Sequence, residues 1–127
     1  MIVPERSVLI VEDTGPCATT LEIALAQIPG LAVHVVADTT EARRWLSPGR
    51  DVALIVTDLN LPEGHGFELI EWLRSDPWYR RVPVVVVSGD SRDDAAENSL
   101  RRGANAFFTK PFSPAAIRKK IEELLHV

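Results

Sequence analysis

Acidic, hydroxyl and amino side chains stand at the ends of separate apolar runs in this sequence. The five residues concerned are Glu12, Asp13, Asp58, Ser88 and Lys110. Clustered carboxylates repel one another, and a hard divalent cation such as Mg²⁺ relieves that repulsion because it takes oxygen ligands and needs only one or two direct carboxylates. An ammonium and a hydroxyl beside such an ion would hold an oxyanion. If the fold brings them together, these residue types therefore predict phosphoryl chemistry.

Short apolar runs, rich in β-branched residues, predict the strands that carry these side chains. A run of this length between turn signals is typical of a buried strand in a parallel sheet. The predicted strands are Val8–Val11, Leu31–Val36, the run from Val52 into Thr57, Val84–Val87 and Ala106–Thr109. The central strand delivers Asp58 to the point where Pro62 and two glycines break the chain.

Apolar residues at helical spacing follow each predicted strand. The segments concerned are 17–28, 42–46, 67–73, about 91–102 and 117–125. The fourth, from about Ser91 to Arg102, has an apolar face made only of Ala95, Ala96 and Leu100. A weakly anchored element is the kind that moves in a switch, so we expect this helix to respond to a signal.

The β-α order repeats five times, which determines the fold class. Short connections of this kind require right-handed crossovers and a parallel sheet with helices on both faces. We therefore predict an α/β, doubly wound, flavodoxin-like (βα)5 fold with strand order 2-1-3-4-5. The first and third strands are then neighbours, so Glu12, Asp13 and Asp58 should converge at one edge of the sheet.

Composition limits the remaining classes of function. The 127 residues carry a net charge of −4 and no long Lys/Arg run, which argues against direct nucleic-acid binding. No segment approaches the length of a membrane span, and a single cysteine, Cys17, cannot form an internal disulfide. We expect one domain over residues 1–127, without an output domain in this chain, in the cytoplasm.

Four stretches in this order resemble the receiver domain of two-component response regulators, over the full length of the chain. They read V-L-I-V-E-D, V-T-D-L-N-L-P-E-G-H-G, V-V-V-V-S-G and G-A-N-A-F-F-T-K-P-F. The resemblance implies a phosphorylation-dependent switch that is similar to chemotaxis regulators and is not an enzyme beyond self-catalysed phosphotransfer and aspartyl-phosphate hydrolysis. The implied phosphodonor is a histidine kinase or a histidine phosphotransfer protein.

The resemblance also implies a role for each acidic residue. Asp58 would accept the phosphoryl group in a reaction that needs Mg²⁺ or Mn²⁺. Asp13 would bind the metal directly and Glu12 through water, while the backbone carbonyl of Asn60 would complete the protein ligands.

Further roles follow from the same resemblance on the other side of the site. Lys110 would pair with the phosphoryl oxygens, and the Lys110–Pro111 peptide bond would be cis. Ser88 would shift toward the phosphoryl group, and Phe107 would turn inward as the switch aromatic. A downstream protein would bind through the first helix or through the face formed by the fourth helix, fifth strand and fifth helix.

Several alternatives remain beside this interpretation. A haloacid-dehalogenase-type phosphatase also uses an aspartyl nucleophile, but it needs a second acid where this chain has Asn60. A flavodoxin-like FMN binder would need a phosphate-binding first loop, which Glu12 and Asp13 would repel. A phosphate-independent pseudo-receiver would not need all the site residues. The chain could also be a receiver module from a hybrid kinase or longer regulator acting in a phosphorelay.

Overall fold

The structure is a computed structural model that describes residues 5–47, 49–89 and 93–127. Strands and helices alternate along the chain. The strands are β1 (Arg6–Val11), β2 (Leu31–Val36), β3 (Leu54–Thr57), β4 (Val84–Ser88) and β5 (Ala106–Thr109). The helices are α1 (Gly15–Ala26), α2 (Thr39–Leu46), α3 (Gly66–Ser75), α4 (Asp93–Arg102) and α5 (Pro114–Leu125). The predicted start of the fourth helix at Ser91 lies outside the described residues.

The five strands form one parallel sheet in the order β2-β1-β3-β4-β5, which confirms the predicted fold. β1 and β3 are neighbours, and Val11 at the end of β1 is in register with Thr57 at the end of β3. The next residue on each strand is an acid, Glu12 and Asp58 respectively. The register therefore brings both carboxylates to the same edge of the sheet.

The sheet separates two hydrophobic clusters. Leu9 and Val11 of β1 belong to the cluster that α2 and α3 cover. Val8 and Ile10 belong to the cluster that α1 and α5 cover. This division follows from the alternation of side chains along a strand, and it fixes the rigid frame from which the site residues project.

One prediction about α4 is wrong. Leu100 was expected on the apolar face, but its exposed fraction is 49%. The helix instead turns Ser99 inward with Ala95, and the Ser99 hydroxyl donates to the Ala95 carbonyl at 2.8 Å. A serine bonded to the carbonyl one turn earlier needs no other partner, so it can be buried where a leucine was expected.

None of the helices within the described ranges has both the length and the apolar character that crossing a membrane would require.

Candidate phosphoryl-acceptor and metal site

Asp58 follows β3 directly, and its carboxylate is held by the backbone around it. Its N–H donates to the Val11 carbonyl at 3.0 Å, which continues the β1–β3 ladder by one residue. Its Oδ1 accepts the N–H of Leu59 at 2.6 Å and the N–H of Asn60 at 3.2 Å. The residue is 5% exposed. One carboxylate oxygen is therefore fixed by backbone donors, and the group has a defined orientation at the sheet edge.

Glu12 and Asp13 follow β1 and complete an acidic cluster with Asp58. The Glu12 N–H donates to the Val36 carbonyl at 2.9 Å, and its side chain is fully buried, whereas Asp13 is exposed. Each of the three acids offers one carboxylate oxygen, and these oxygens lie within 4.8 Å of one another. The predicted convergence of the three acids is therefore present.

Lys110 follows β5 and connects two of these acids. Its Nζ donates to Asp58 Oδ2 at 2.7 Å and to the two Glu12 oxygens at 2.9 and 3.1 Å. Its backbone N–H donates to the Ser88 carbonyl at 2.7 Å, and the Lys110–Pro111 peptide bond is cis. Backbone and side chain of one residue thus join the ends of β4, β3 and β1.

The buried pairing shifts the pKa values of both Glu12 and Lys110. Burial raises the pKa of Glu12, and the hydrogen bond from Lys110 only partly offsets this effect. Burial acts to lower the pKa of Lys110, but its hydrogen bonds to Asp58 and Glu12 together outweigh burial and raise it. Lys110 is therefore a firmly held cation, and it supplies charge to the site over the whole physiological pH range.

Ser88, Phe107 and Asn60 have definite positions beside this cluster. Ser88 ends β4 and is fully buried, in register with Thr109 of β5. Phe107 lies on β5 and is half-buried against the cluster that α2 and α3 cover. Asn60 is exposed in the loop after Asp58. The roles of Ser88 and Phe107 in switching, and of the Asn60 carbonyl in metal binding, stay predictions.

Gly66 supports Asp58 in a way that the sequence interpretation missed. A Cβ at this position would lie 2.4 Å from the Asp58 carbonyl oxygen and 2.8 Å from Leu59 Cα. Both contacts are shorter than real Cβ atoms tolerate, so only glycine lets α3 begin this close to the acceptor residue. The available signal was the pair of glycines soon after Asp58, which we interpreted only as chain breakers.

Thr39 and Gly64 hold the loop between Asp58 and α3. The Thr39 hydroxyl donates to the Glu63 carbonyl at 2.9 Å, and the Thr39 N–H donates to the same oxygen at 3.2 Å. Gly64 has a φ of 78° and lies directly against the Thr39 side chain. This contact between the start of α2 and the acceptor loop was not predicted, because it joins segments 25 positions apart with no shared motif.

The donor set fits a hard divalent cation. All three candidate side-chain ligands are carboxylates, the oxygen donors that Mg²⁺ and Mn²⁺ prefer over softer ligands. The cluster combines one fully buried and one exposed acid with Asp58, so it is open to solvent through Asp13. The residues therefore suit an ion that keeps several of its own waters.

Comparisons with known proteins agree with this fold. The family model of the response regulator receiver domain matches residues 8–122. The chemotaxis protein CheY homolog of Campylobacter jejuni is 27% identical over 117 residues, which are 92% of this chain and 90% of that protein. The phosphorylated cyanobacterial phytochrome response regulator RcpA superposes with a TM-score of 0.84 at 30% identity, covering 96% of this chain and 94% of that one.

A further similar structure contains a metal ion. The receiver domain of the sensor histidine kinase PA1611 from Pseudomonas aeruginosa, which holds a magnesium ion in its active-site cleft, has a TM-score of 0.83 and 28% identity. The match covers 97% of this chain and 99% of that domain.

Proposed function

Because the chain belongs to the response regulator receiver domain family, we propose that it is a phosphorylation-dependent signalling switch with Asp58 as the acceptor. The phosphodonor is a histidine kinase or a histidine phosphotransfer protein. The observation that carries this proposal is the environment of the Asp58 carboxylate. One oxygen is 2.7 Å from Lys110 Nζ, and the group shares a cluster with Glu12 and Asp13.

The proposed transfer is a displacement at phosphorus. A carboxylate oxygen of Asp58 forms a bond to the phosphorus atom, while the N–P bond of the phosphohistidine breaks. The bonding electron pair returns to the imidazole nitrogen of the donor. The N–H groups of Leu59 and Asn60 orient the carboxylate during attack, and Lys110 is close enough to pair with the phosphoryl oxygens that arrive.

Glu12, Asp13 and Asp58 are the side chains that would hold Mg²⁺ or Mn²⁺, with the Asn60 carbonyl as a further ligand. When bound, the ion neutralises negative charge on the transferring phosphoryl group. Without it, three carboxylates would face an incoming anion with only one cation beside them. We therefore expect transfer to require a divalent metal.

The chain acts through other proteins rather than by turnover of a substrate. A groove of about 250 Å³ next to the site suits the phosphodonor, since it lies between α1 and the β5–α5 connection. The groove is lined by Pro16, Cys17, Thr20, Lys110, Pro111 and Phe112. Phosphorylation would then shift Ser88 and Phe107 and change the face formed by α4, β5 and α5, where a downstream protein binds.

The decisive experiment measures phosphoryl incorporation with acetyl phosphate and Mg²⁺ by intact-mass spectrometry. Wild type should gain one phosphoryl group, and Asp58→Asn should gain none. Asp94→Asn, which removes an exposed carboxylate on α4, is the matched control and should behave as wild type. No adduct on wild type, or an equal adduct on Asp58→Asn, would contradict the proposal.

A further inference from the structure

The three tryptophans of the chain all lie on or just after the helices α2 and α3. Trp45 lies on α2, Trp72 on α3, and Trp78 in the segment that follows α3. Helices α2 and α3 run back from the carboxyl ends of the strands, so their C-terminal halves approach the opposite edge of the sheet. We call Arg43, Trp45, Arg50, Trp72 and Trp78 the Trp–Arg patch.

Direct contacts join these side chains. The Arg43 guanidinium lies 5.3 Å from the Trp72 ring centroid and so connects α2 with α3. The Arg50 guanidinium lies 4.6 Å from the Trp45 ring centroid, and Arg50 Nε donates to the Trp45 carbonyl at 2.7 Å. The Trp78 ring lies over Gly49, 3.6 Å from the position a Cβ would take there. These contacts form two ring–guanidinium pairs, Arg43 with Trp72 and Arg50 with Trp45, and the Trp45 ring also stacks on His34 of β2 with 4.8 Å between centroids.

A buried tyrosine fixes the backbone under the patch. The Tyr79 hydroxyl lies within hydrogen-bond distance of two carbonyls, that of Leu46 at 2.5 Å and that of Arg50 at 2.9 Å. The Tyr79 ring also contacts Trp72, with 6.0 Å between centroids. These contacts hold the segment after α2 against the segment after α3, so the surface is ordered before any partner arrives. Such preorganisation lowers the entropic cost of binding.

The patch is more exposed and more positively charged than packing alone requires. Trp78 is 61% exposed, although indole rings are normally mostly buried. Within the described ranges, no carboxylate forms an ion pair with the arginines of this region, which are Arg43, Arg44, Arg50, Arg80 and Arg81. The carboxylates of Asp51 and Asp76 also lie in this region, and Asp76 accepts the Trp78 N–H at 2.8 Å, but the arginines outnumber them in a chain whose net charge is −4.

We propose that the Trp–Arg patch is a docking surface for an acidic, extended segment of a partner protein. The planar guanidinium group matches a carboxylate with two parallel hydrogen bonds, and arginine already seated on a ring is oriented for it. Tryptophan and arginine are also the residues most often responsible for the binding energy of protein interfaces. The negative charge of the whole chain disfavours a nucleic acid, whose binding depends on phosphate neutralisation.

This surface is separate from the site around Asp58. Trp78 and Arg50 follow the C-terminal ends of α3 and α2, whereas Asp58 precedes the N-terminal end of α3. A segment bound here would leave the acceptor and the groove beside Lys110 uncovered. The chain could therefore be held by one partner while another exchanges phosphoryl groups with it.

The test uses the indole N–H signals of ¹⁵N-labelled protein, because every tryptophan of the chain reports on the patch. A short peptide of alternating Glu and Leu is titrated at low salt, and a Lys–Leu peptide of equal length is the charge control. We expect the indole signals to move with the Glu–Leu peptide alone, and the shift to disappear at high salt. Equal shifts with both peptides, or none with either, would overturn the proposal.

Variants locate the binding. Trp78→Ala and Arg50→Gln should each weaken binding of the Glu–Leu peptide about tenfold. Arg101→Gln is the matched control, since Arg101 is an exposed arginine on α4, and it should bind as wild type. Unchanged affinity in Trp78→Ala and Arg50→Gln would refute the assignment. If an oligothymidylate strand bound more tightly than the Glu–Leu peptide, the occupant would be a nucleic acid. If the protein self-associated through the patch as its concentration rose, the occupant would be a second copy of this chain.

Discussion

The two edges of the sheet handle charge in opposite ways. At the carboxyl edge, Glu12 and Asp58 are buried and share the ammonium of Lys110. At the other edge, Arg43 and Arg50 lie on tryptophan rings and keep their charge in contact with solvent. Both edges belong to the same rigid fold, so the difference comes from burial and from the type of neighbour.

This difference determines what each edge can do. A buried charge that loses its partner is strongly destabilising, so the carboxyl edge can change only when another charge replaces the one displaced. An exposed guanidinium on a ring loses little when it turns to a new acceptor. The first arrangement suits a covalent switch, and the second suits reversible docking. The following variants test the comparison, in order of decreasing effect.

Lys110→Met should have the largest effect on stability, because it leaves Glu12 and Asp58 buried without a cation. We expect a loss of about 3 kcal/mol in the free energy of unfolding without metal. Urea denaturation followed by circular dichroism measures this loss, and added Mg²⁺ should recover part of it. Lys119→Met, at an exposed position on α5, is the control and should be near neutral. A Lys110→Met protein as stable as wild type would contradict the buried-pair interpretation.

Gly66→Ala should have the second-largest effect on stability, since its Cβ would overlap the Asp58 carbonyl oxygen. The forced movement of the backbone should cost about 2 kcal/mol and also slow phosphoryl uptake from acetyl phosphate. Gly15→Ala is the matched control, because no atom lies within 4 Å of its Cβ position. If both variants matched wild type in stability and uptake rate, the close approach of α3 to Asp58 would contribute to neither property.

Tyr79→Phe tests the support under the Trp–Arg patch and should cost about 1 kcal/mol, because the buried hydroxyl that donates to the Leu46 or Arg50 carbonyl is lost. Burial raises the pKa of Tyr79 above its ordinary value of 10.0. The neutral phenol is thus favoured in the folded state, and its contribution is complete below pH 10.0 and lost as the pH rises through the higher folded-state value.

Wild type should therefore lose stability more steeply than Tyr79→Phe above pH 10.0. Urea unfolding of both proteins at neutral and alkaline pH gives the comparison directly. If the free energy of unfolding fell equally with rising pH in the two proteins, the Tyr79 hydroxyl would not be buried as described.

Arg50→Gln should have the smallest effect, about 0.5 kcal/mol, because the contact of Arg50 with Trp45 is exposed. The same urea assay measures it, and Arg81→Gln, at an exposed position without an ion pair or ring contact within the described ranges, serves as control. A loss as large as that of Lys110→Met would show that the two edges do not differ in the way described.

The sequence was sufficient for the order of elements and of strands. The β-branched runs and short connections leave few topologies, and the strand ends then place Glu12 beside Asp58. The sequence was not sufficient to predict the inner face of α4, where Ser99 is buried and Leu100 is exposed. That segment has too few apolar residues for periodicity to define a face, so the contacts of the folded protein decide it.

At the site, residue types and strand ends were sufficient for the convergence of Glu12, Asp13 and Asp58. The sharing of Lys110 between Glu12 and Asp58 was not predicted, because the reach of a lysine side chain across the sheet edge depends on coordinates. The ring contacts of the tryptophans were also not predicted, since the partners of Trp45 and Trp72 depend on how α2 packs against β2 and α3.

The sharing of Lys110 also has a consequence for which ions the site can hold. With all groups ionised, three carboxylates against one ammonium leave a formal charge of −2. A divalent ion balances this charge, a monovalent ion leaves an excess of one negative charge, and a trivalent ion an excess of one positive charge. Electroneutrality therefore gives the cluster a preference for ion valence that is independent of ionic radius.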